Sequence, residues 1–401
     1  MSRPPSIRSL GADSALERWA AAGLAELTGP PEGPGLGPPA GFVARLDALC
    51  ERIEVASGRV GGPVRIDGMA TLAARAQLMG LRRRGRVSCG GACHLVRGRD
   101  GWLAVSLSRE DDWELLPAWI GASAASSDGW AEVHDRCAER PVAEMVAQGA
   151  LLGLPIAALA EANDGRATDP VRWTSITSTE PSRAADGGRP VRVVDLSSMW
   201  AGPLCGAVLA ATGAEVVKVE SLGRPDGTRV GSPDHYARLN GGKELRTLDL
   251  TTAAGLAELR SLLASADVVI ESSRPRALRQ MGIDAEEVLS AADGPRLWIS
   301  ITGHGRGGDP ADRVALGDPT DRGAFGDDAA VAGGLVAWWN GEPTFCADAV
   351  ADPLTGLVAA AALLEAFAAG HRGLLDIAMA QVAAHFAGSP TPDRCAPGGT
   401  A

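Results

Sequence analysis

The chain has 401 residues, 45% of them hydrophobic and 22% charged, which is more apolar material than one ordinary core holds and enough to order about two domains. Its formal net charge of −11 argues against a phosphate-backbone binder, which needs a basic face to displace counterions from nucleic acid. Seven cysteines without regular spacing do not form the disulfide frame of a small secreted domain, and they point to a reducing, cytoplasmic setting.

The N-terminal MSRPPSIRSLGADSALERWAAAG lacks the basic-then-apolar pattern of a leader, and no uninterrupted run of about 18 to 20 apolar residues is expected to span a bilayer. One short helix is expected before residue 29. Residues 29–41 (GPPEGPGLGPPAG) are so rich in Pro and Gly that they read as loop. DGWLAVSL at 100–107 reads as a turn and a strand, and DDWELLPAWI at 111–120 has helix-like apolar spacing. STEPSRAADGGR marks a linker, placed at 178–190.

From Val191 the pattern changes. VRVVDL, a helix around 204–212, AEVVKVE, a helix over 252–265, ADVVIES and RLWISITG alternate β-branched runs with helical segments. Parallel neighbours need such crossovers, because a tight turn cannot join them. The fold class is therefore α/β: a Rossmann-like doubly wound parallel sheet domain at 191–388, preceded by a smaller mixed α+β domain at 1–177. The tail at 389–401 (SPTPDRCAPGGTA) reads as disordered.

Two segments can carry chemistry. Asp195-Leu-Ser-Ser-Met-Trp-Ala-Gly-Pro203 ends a strand and opens a helix, where strand ends and free N–H groups favour an anion. Glu220 at the end of the next strand suggests a dinucleotide ribose contact, but the turn lacks G-x-G-x-x-G, and close helix–sheet packing explains Gly202 and Gly206 equally well. Asp352, in ADPLTG before an Ala-rich helix, reads either as an N-cap or as a carboxylate nucleophile that attacks a thioester.

In order along the chain, VVDLSSMWAGPLCGAVLAATGAEVVKVE, LNGGKELRTLDLTT, ADVVIESSRPRALRQMG and ADPLTGLVAAAALLEA resemble the class III CoA-transferases. That family includes formyl-CoA transferases, α-methylacyl-CoA racemases and carnitine-type CoA-transferases. The resemblance implies CoA transfer between carboxylic acids through an aspartyl-CoA thioester on Asp352, with coenzyme A as the carried group and no metal. Backbone near Trp200 and Ala201 would border the acyl group, and Lys243 and Arg274 would line the CoA site. Trp200 stands where formyl-CoA transferases carry Gln, Ser221 where an Arg is expected, and Gln280 replaces the Arg before M-G, which disfavours formyl or oxalyl substrates. Arg279, Arg224 and Arg229 are near enough in sequence to replace the lost arginines. The segment AFGDDAAVAGGL holds Asp327 and Asp328 where racemases carry His, so racemisation loses support.

VSCGGACHLVRGRDGWLAVSLSREDDWELLPAWIG and VAEMVAQGALLGLPIAALAEA resemble the family's small-domain segment, here ahead of the catalytic core, so the domain order reads as permuted. An interlocked homodimer is implied, with an acyl-CoA and a small carboxylic acid as partners and neither nucleic acid nor membrane. The rival readings are a racemase or isomerase on the same fold and an inactive acyl-CoA-binding dimer partner. Cys89-x-x-x-Cys93-His94 lacks a second ligand cluster and reads as buried thiols. His304 in ITGHGRGG belongs to a loop whose backbone is expected to matter more than its ring. Trp338-Trp339 hints, with Trp200, at an apolar pocket.

Overall fold

β-branched runs form several strands after residue 190, RVVD, EVVKVES, VVIE and LWISIT, and small residues in the helices between them let those helices lie close against the sheet. The computed structural model describes residues 12–121, 129–163, 169–176, 189–291, 294–307 and 322–388. Its strands are β1 (Cys93–Arg97), β2 (Trp102–Ser106), β3 (Ile156–Ala158), β4 (Val171–Ser175), β5 (Arg192–Asp195) and β6 (Glu215–Ser221). They continue with β7 (Glu244–Leu248), β8 (Val268–Glu271), β9 (Leu297–Thr302), β10 (Val336–Trp339), β11 (Glu342–Phe345) and β12 (Gly373–Ala378).

Seven strands form the main sheet in the order β4-β12-β9-β8-β5-β6-β7. Every neighbouring pair is parallel except β12 with β4. Val193 on β5 sits opposite Val216 of β6 and Val268 of β8. The chain winds outward from β5 in both directions, so the C-terminal end of β5, at Asp195, lies at the switch point where open α/β sheets bind ligands. This is the doubly wound sheet the alternation predicts. The expected helix over 252–265 spans Ala253–Ser265, with the Thr252 hydroxyl accepting the Gly255 N–H as its N-cap.

The Ala351–Ala368 helix is the central post of the core. It packs on the Ala201–Ala211, Phe42–Val60 and Met379–Ala387 helices. Its alanines and Gly356 permit that approach: a Cβ on Gly356 would fall 2.6 Å from the Ala201 carbonyl oxygen. By length and composition alone it is apolar enough to cross a bilayer, which the sequence reading did not anticipate, but in this fold it is mostly buried among other elements.

The N-terminal region divides its residues between two packing units. β1, β2 and β3 make an antiparallel sheet over a core that includes Leu103, Trp119, Met145 and Ile156. The predicted turn and strand at 100–107 are the end of the β1–β2 hairpin, and 111–120 forms two short helices, Glu110–Glu114 and Leu116–Ile120. The Phe42–Val60 helix instead contributes Phe42, Leu46 and Ile53 to the same core as the Ala351–Ala368 helix. β4 lies on the edge of the main sheet. Residues of 12–60 and 171–175 thus pack with the main-sheet half, whereas the sequence reading places them in the smaller domain. Most of the linker and the whole 389–401 tail lie outside the described residues.

Candidate active site

Two helix N-termini converge on Asp352. The first follows β5 through a turn in which Met199 is left-handed, with φ 71°, a conformation uncommon for a residue with a side chain. The Met199 N–H donates to Asp226 Oδ2 at 3.1 Å, and Trp200 then takes the N-cap position of the Ala201–Ala211 helix. The second is the Ala351–Ala368 helix, which holds Asp352 in its first turn. The loop before it is strained, with Ala347 and Ala349 left-handed at φ 58° and 43°.

Asp352 is mostly buried and keeps some contact with solvent. The backbone N–H groups of Ala201 and Gly326 lie near its carboxyl and favour the ionised form. Gly326 must be glycine here, because a Cβ would stand 2.5 Å from Asp352 Oδ2. Burial raises the carboxyl to about 6, and Asp348 adds to the rise, while Arg75 and the two N–H donors oppose it. Asp327 sits deeper. Burial and the neighbouring Asp348 push it up to about 7, and its Oδ1 accepts the Ala349 N–H at 3.0 Å. Asp328 is raised to about 8, chiefly by burial. Its Oδ1 accepts the Ser106 hydroxyl at 2.7 Å and the Phe325 N–H at 3.0 Å, tying β2 to the Gly326–Ala332 helix.

Ala201, with Trp200 before it, stands near Asp352. Trp200 is 3% exposed, with the His235 ring edge-on at 4.8 Å and the Arg75 guanidinium 5.3 Å from its own ring centre. With Val64, Ile66, Leu204 and Leu239 it lines a mainly apolar cavity of about 200 Å³. Trp338 instead packs on the cluster of Leu95, Ala104 and Phe345, away from Trp200.

The basic residues expected around CoA separate. Lys243 is a structural cation: its buried Nζ donates to Asp195 Oδ2 and the Pro203 carbonyl, each at 2.8 Å, and to Asn240 Oδ1 at 3.0 Å, which occupies all three donors. Burial opposes ionisation of Asp195, but Lys243 and Lys218 outweigh it and hold the carboxyl below its usual range. A Cβ on Gly206 would stand 2.8 Å from Asp195 Oδ2 and 2.9 Å from Lys243 Nζ, so this glycine serves packing around the pair. Arg229 forks onto Glu220 at 2.9 and 3.0 Å, and its guanidinium lies 4.3 Å from the Tyr236 ring centre. Glu220 also accepts the Tyr236 hydroxyl at 2.6 Å and the Asp226 N–H at 2.9 Å, a commitment that leaves no ribose contact to make. Arg279 pairs with Asp284 at 2.9 Å. Arg274 lines a cavity of about 350 Å³ with Arg276, Arg109, Leu115 and Gly153.

The other candidates are structural in this arrangement. Cys89 and Cys93 are buried, and burial raises both thiols. His94 stacks on Trp130 at 3.5 Å, and among the described residues no three His, Cys, Asp or Glu side chains gather as metal ligands would. Burial and Arg322 hold His304 well below the usual imidazole range, with Nδ1 3.5 Å from Glu161. Sequence reading missed Arg75 and Asp348. Arg75 carries no motif, and Asp348 gains its meaning only when the loop folds back upon it.

A doubly wound sheet with a buried carboxyl where two helix N-termini meet defines an α/β protein with a candidate site beside the end of β5. Residues 189–400 match the model of CoA-transferase family III, just over half of the chain, and the chain belongs to that family. It is 32% identical over 209 residues to the succinate–glutarate CoA-transferase of Agrobacterium fabrum, covering 48% of this chain and 50% of that one. It is 37% identical over 121 residues to the α-methylacyl-CoA racemase of Mus musculus, covering 30% and 29%. A solved CAIB/BAIF family protein from Brucella suis is 30% identical with a TM-score of 0.42, covering 48% of this chain and 53% of that one. The chain spans about half the length of the Agrobacterium and Brucella relatives and less than a third of the racemase.

Proposed function

We propose that the protein transfers coenzyme A between carboxylic acids through Asp352. The observation that carries this reading is a mostly buried carboxyl, raised to about 6, that faces two backbone N–H groups in a member of CoA-transferase family III. Above about pH 6 the group is ionised and, being poorly hydrated, is a more reactive nucleophile than a surface aspartate. The Asp352 carboxylate attacks the thioester carbonyl; the C–S bond breaks, CoA thiolate leaves, and a mixed anhydride remains. The thiolate then attacks the Asp352 side of that anhydride, releasing the donor acid as its carboxylate and forming aspartyl-CoA. An acceptor carboxylate repeats the two steps in reverse, which regenerates Asp352.

The N–H groups of Ala201 and Gly326 are positioned to stabilise the oxyanion that develops on the aspartyl carbonyl. Arg274 and Arg276 suit the phosphates of CoA, in a cavity that Asp111 and Asp112 also line and where Arg109 pairs with Asp112 at 3.3 Å. The apolar cavity at Trp200 suits an acyl group with hydrocarbon rather than a formyl or oxalyl group. Intact-protein mass spectrometry with a panel of acyl-CoAs and hydroxylamine tests the reading. A hydroxamate on Asp352, absent in Asp352→Ala, is expected; no adduct with any donor despite CoA binding would refute it.

The racemase reading has one observation in its favour: Asp327, raised to about 7, could serve with Asp352 as an acid/base pair across an α-carbon. Incorporation of solvent deuterium at C2 of a bound acyl-CoA, without transfer, would mark it.

A further inference from the structure

The loop that carries Asp352 is held in place by the N-terminal region, which lies outside the 189–400 segment that defines the family. Three contacts do this. The Thr28 hydroxyl accepts the Ala347 N–H at 2.9 Å, and the Cys89 thiol lies 3.6 Å from the Ala347 carbonyl. Arg75 forks onto the fully buried Asp348, with Nε at 2.8 Å from Oδ2 and Nη2 at 2.6 Å from Oδ1. The same guanidinium stands over the Trp200 ring. A single cation thus bridges the two segments whose helices meet at Asp352, and it does so between the left-handed residues Ala347 and Ala349.

We propose that Arg75 is a positioning residue for the transfer reaction: clamped by Asp348 and stacked on Trp200, its fork fixes the loop that aims Asp352 and holds a positive charge on that side of the site. This rests on the reading of Asp352 as nucleophile. The groups that face the cluster are Asp327 from the Gly326–Ala332 helix, Asp348 from the loop, Cys89, and His235 from the helix beside Trp200. Burial and Arg75 lower His235 to about 4, so it stays neutral around pH 6. Both of its ring nitrogens are buried without a hydrogen-bond partner. Arg75 is thus the positive charge set against three carboxyls, Asp327, Asp348 and Asp352 itself.

The test reads ionisation apart from turnover. Carbodiimide and an amine modify the protonated carboxyl, and peptide mass spectrometry follows labelling of Asp352 from pH 4 to 8. Arg75→Met is expected to raise the labelling midpoint by about one pH unit or more, as loss of a neighbouring opposite charge does, and Arg75→Lys is expected to restore most of the shift. Asp348→Asn removes an anion and leaves the guanidinium, so its midpoint is expected to fall. An unmoved midpoint in folded Arg75→Met overturns the proposal; should that variant fail to fold, an unmoved midpoint in Asp348→Asn does the same. Hydroxamate capture on the wild-type chain is run in parallel. Its failure refutes the transferase reading while the labelling result for Arg75 stands.

Discussion

Gly326→Ala is the sharpest probe of the geometry at Asp352. The added Cβ would stand 2.5 Å from Asp352 Oδ2, and the Ala349 carbonyl is closer still. Ordinary van der Waals contact begins near 3.4 Å, so either the carboxylate or the loop must retreat by about 0.9 Å. Displacement of about 1 Å at a reacting group costs about 100-fold in rate. Crowding a packed site of this kind destabilises by about 1 to 3 kcal/mol. The assay is steady-state transfer with whichever donor gives the Asp352 hydroxamate, alongside urea denaturation. The variant is expected to remain folded, to lose about two orders of magnitude in kcat, and to keep affinity for free CoA, since the arginine-lined cavity is untouched. A kcat within threefold of wild type would mean that Gly326 does not abut the reacting carboxylate and that the site has been assigned to the wrong place.

The pH–rate profile is expected to have an acid limb near pH 6, where Asp352 titrates. Because the ionised form reacts, the rate should fall about tenfold from pH 7 to pH 5; a flat profile down to pH 4.5 counts against a raised nucleophile. Glu220 behaves oppositely: burial is outweighed by Arg229, the Asp226 N–H and Tyr236, and its carboxyl is held near 2 rather than 4.5. Its folded-state value is depressed, so the stabilisation is complete above about pH 4.5 and is lost as pH falls toward 2. With Arg229 38% exposed, the contribution is about 1 to 2 kcal/mol after screening, and Glu220→Gln should flatten that part of the acid-unfolding curve measured in urea. Leu357 is fully buried in the central helix, and Leu357→Ala is expected to lower stability by about 2 to 5 kcal/mol, read from the urea midpoint.

Which parts of this molecule were legible in sequence follows from how local their causes are. β5, β6, β8 and β9 announce themselves through β-branched runs, and Thr252 through cap chemistry, since each depends on residues a few positions away. The ADPLTG segment carried a readable motif because its residues act locally: it opens the helix, places Gly356 for contact with Ala201 and leads into an Ala-rich face for the core. Lys243 and Arg229 misled for the converse reason. A cation in a motif states that positive charge is wanted there, but only the fold says whether the counter-charge is a ligand phosphate or, as here, the carboxylates of Asp195 and Glu220. β4 and the Phe42–Val60 helix were misassigned because a sheet edge and a core helix face are completed by residues more than a hundred positions away. Arg75 and Asp348 are the extreme of that class. Separated by 273 residues, they become a pair only when the N-terminal helices fold across the Asp352 loop, so the part of the candidate site with the least sequence signal is the part that ties the two halves of the chain together around Asp352.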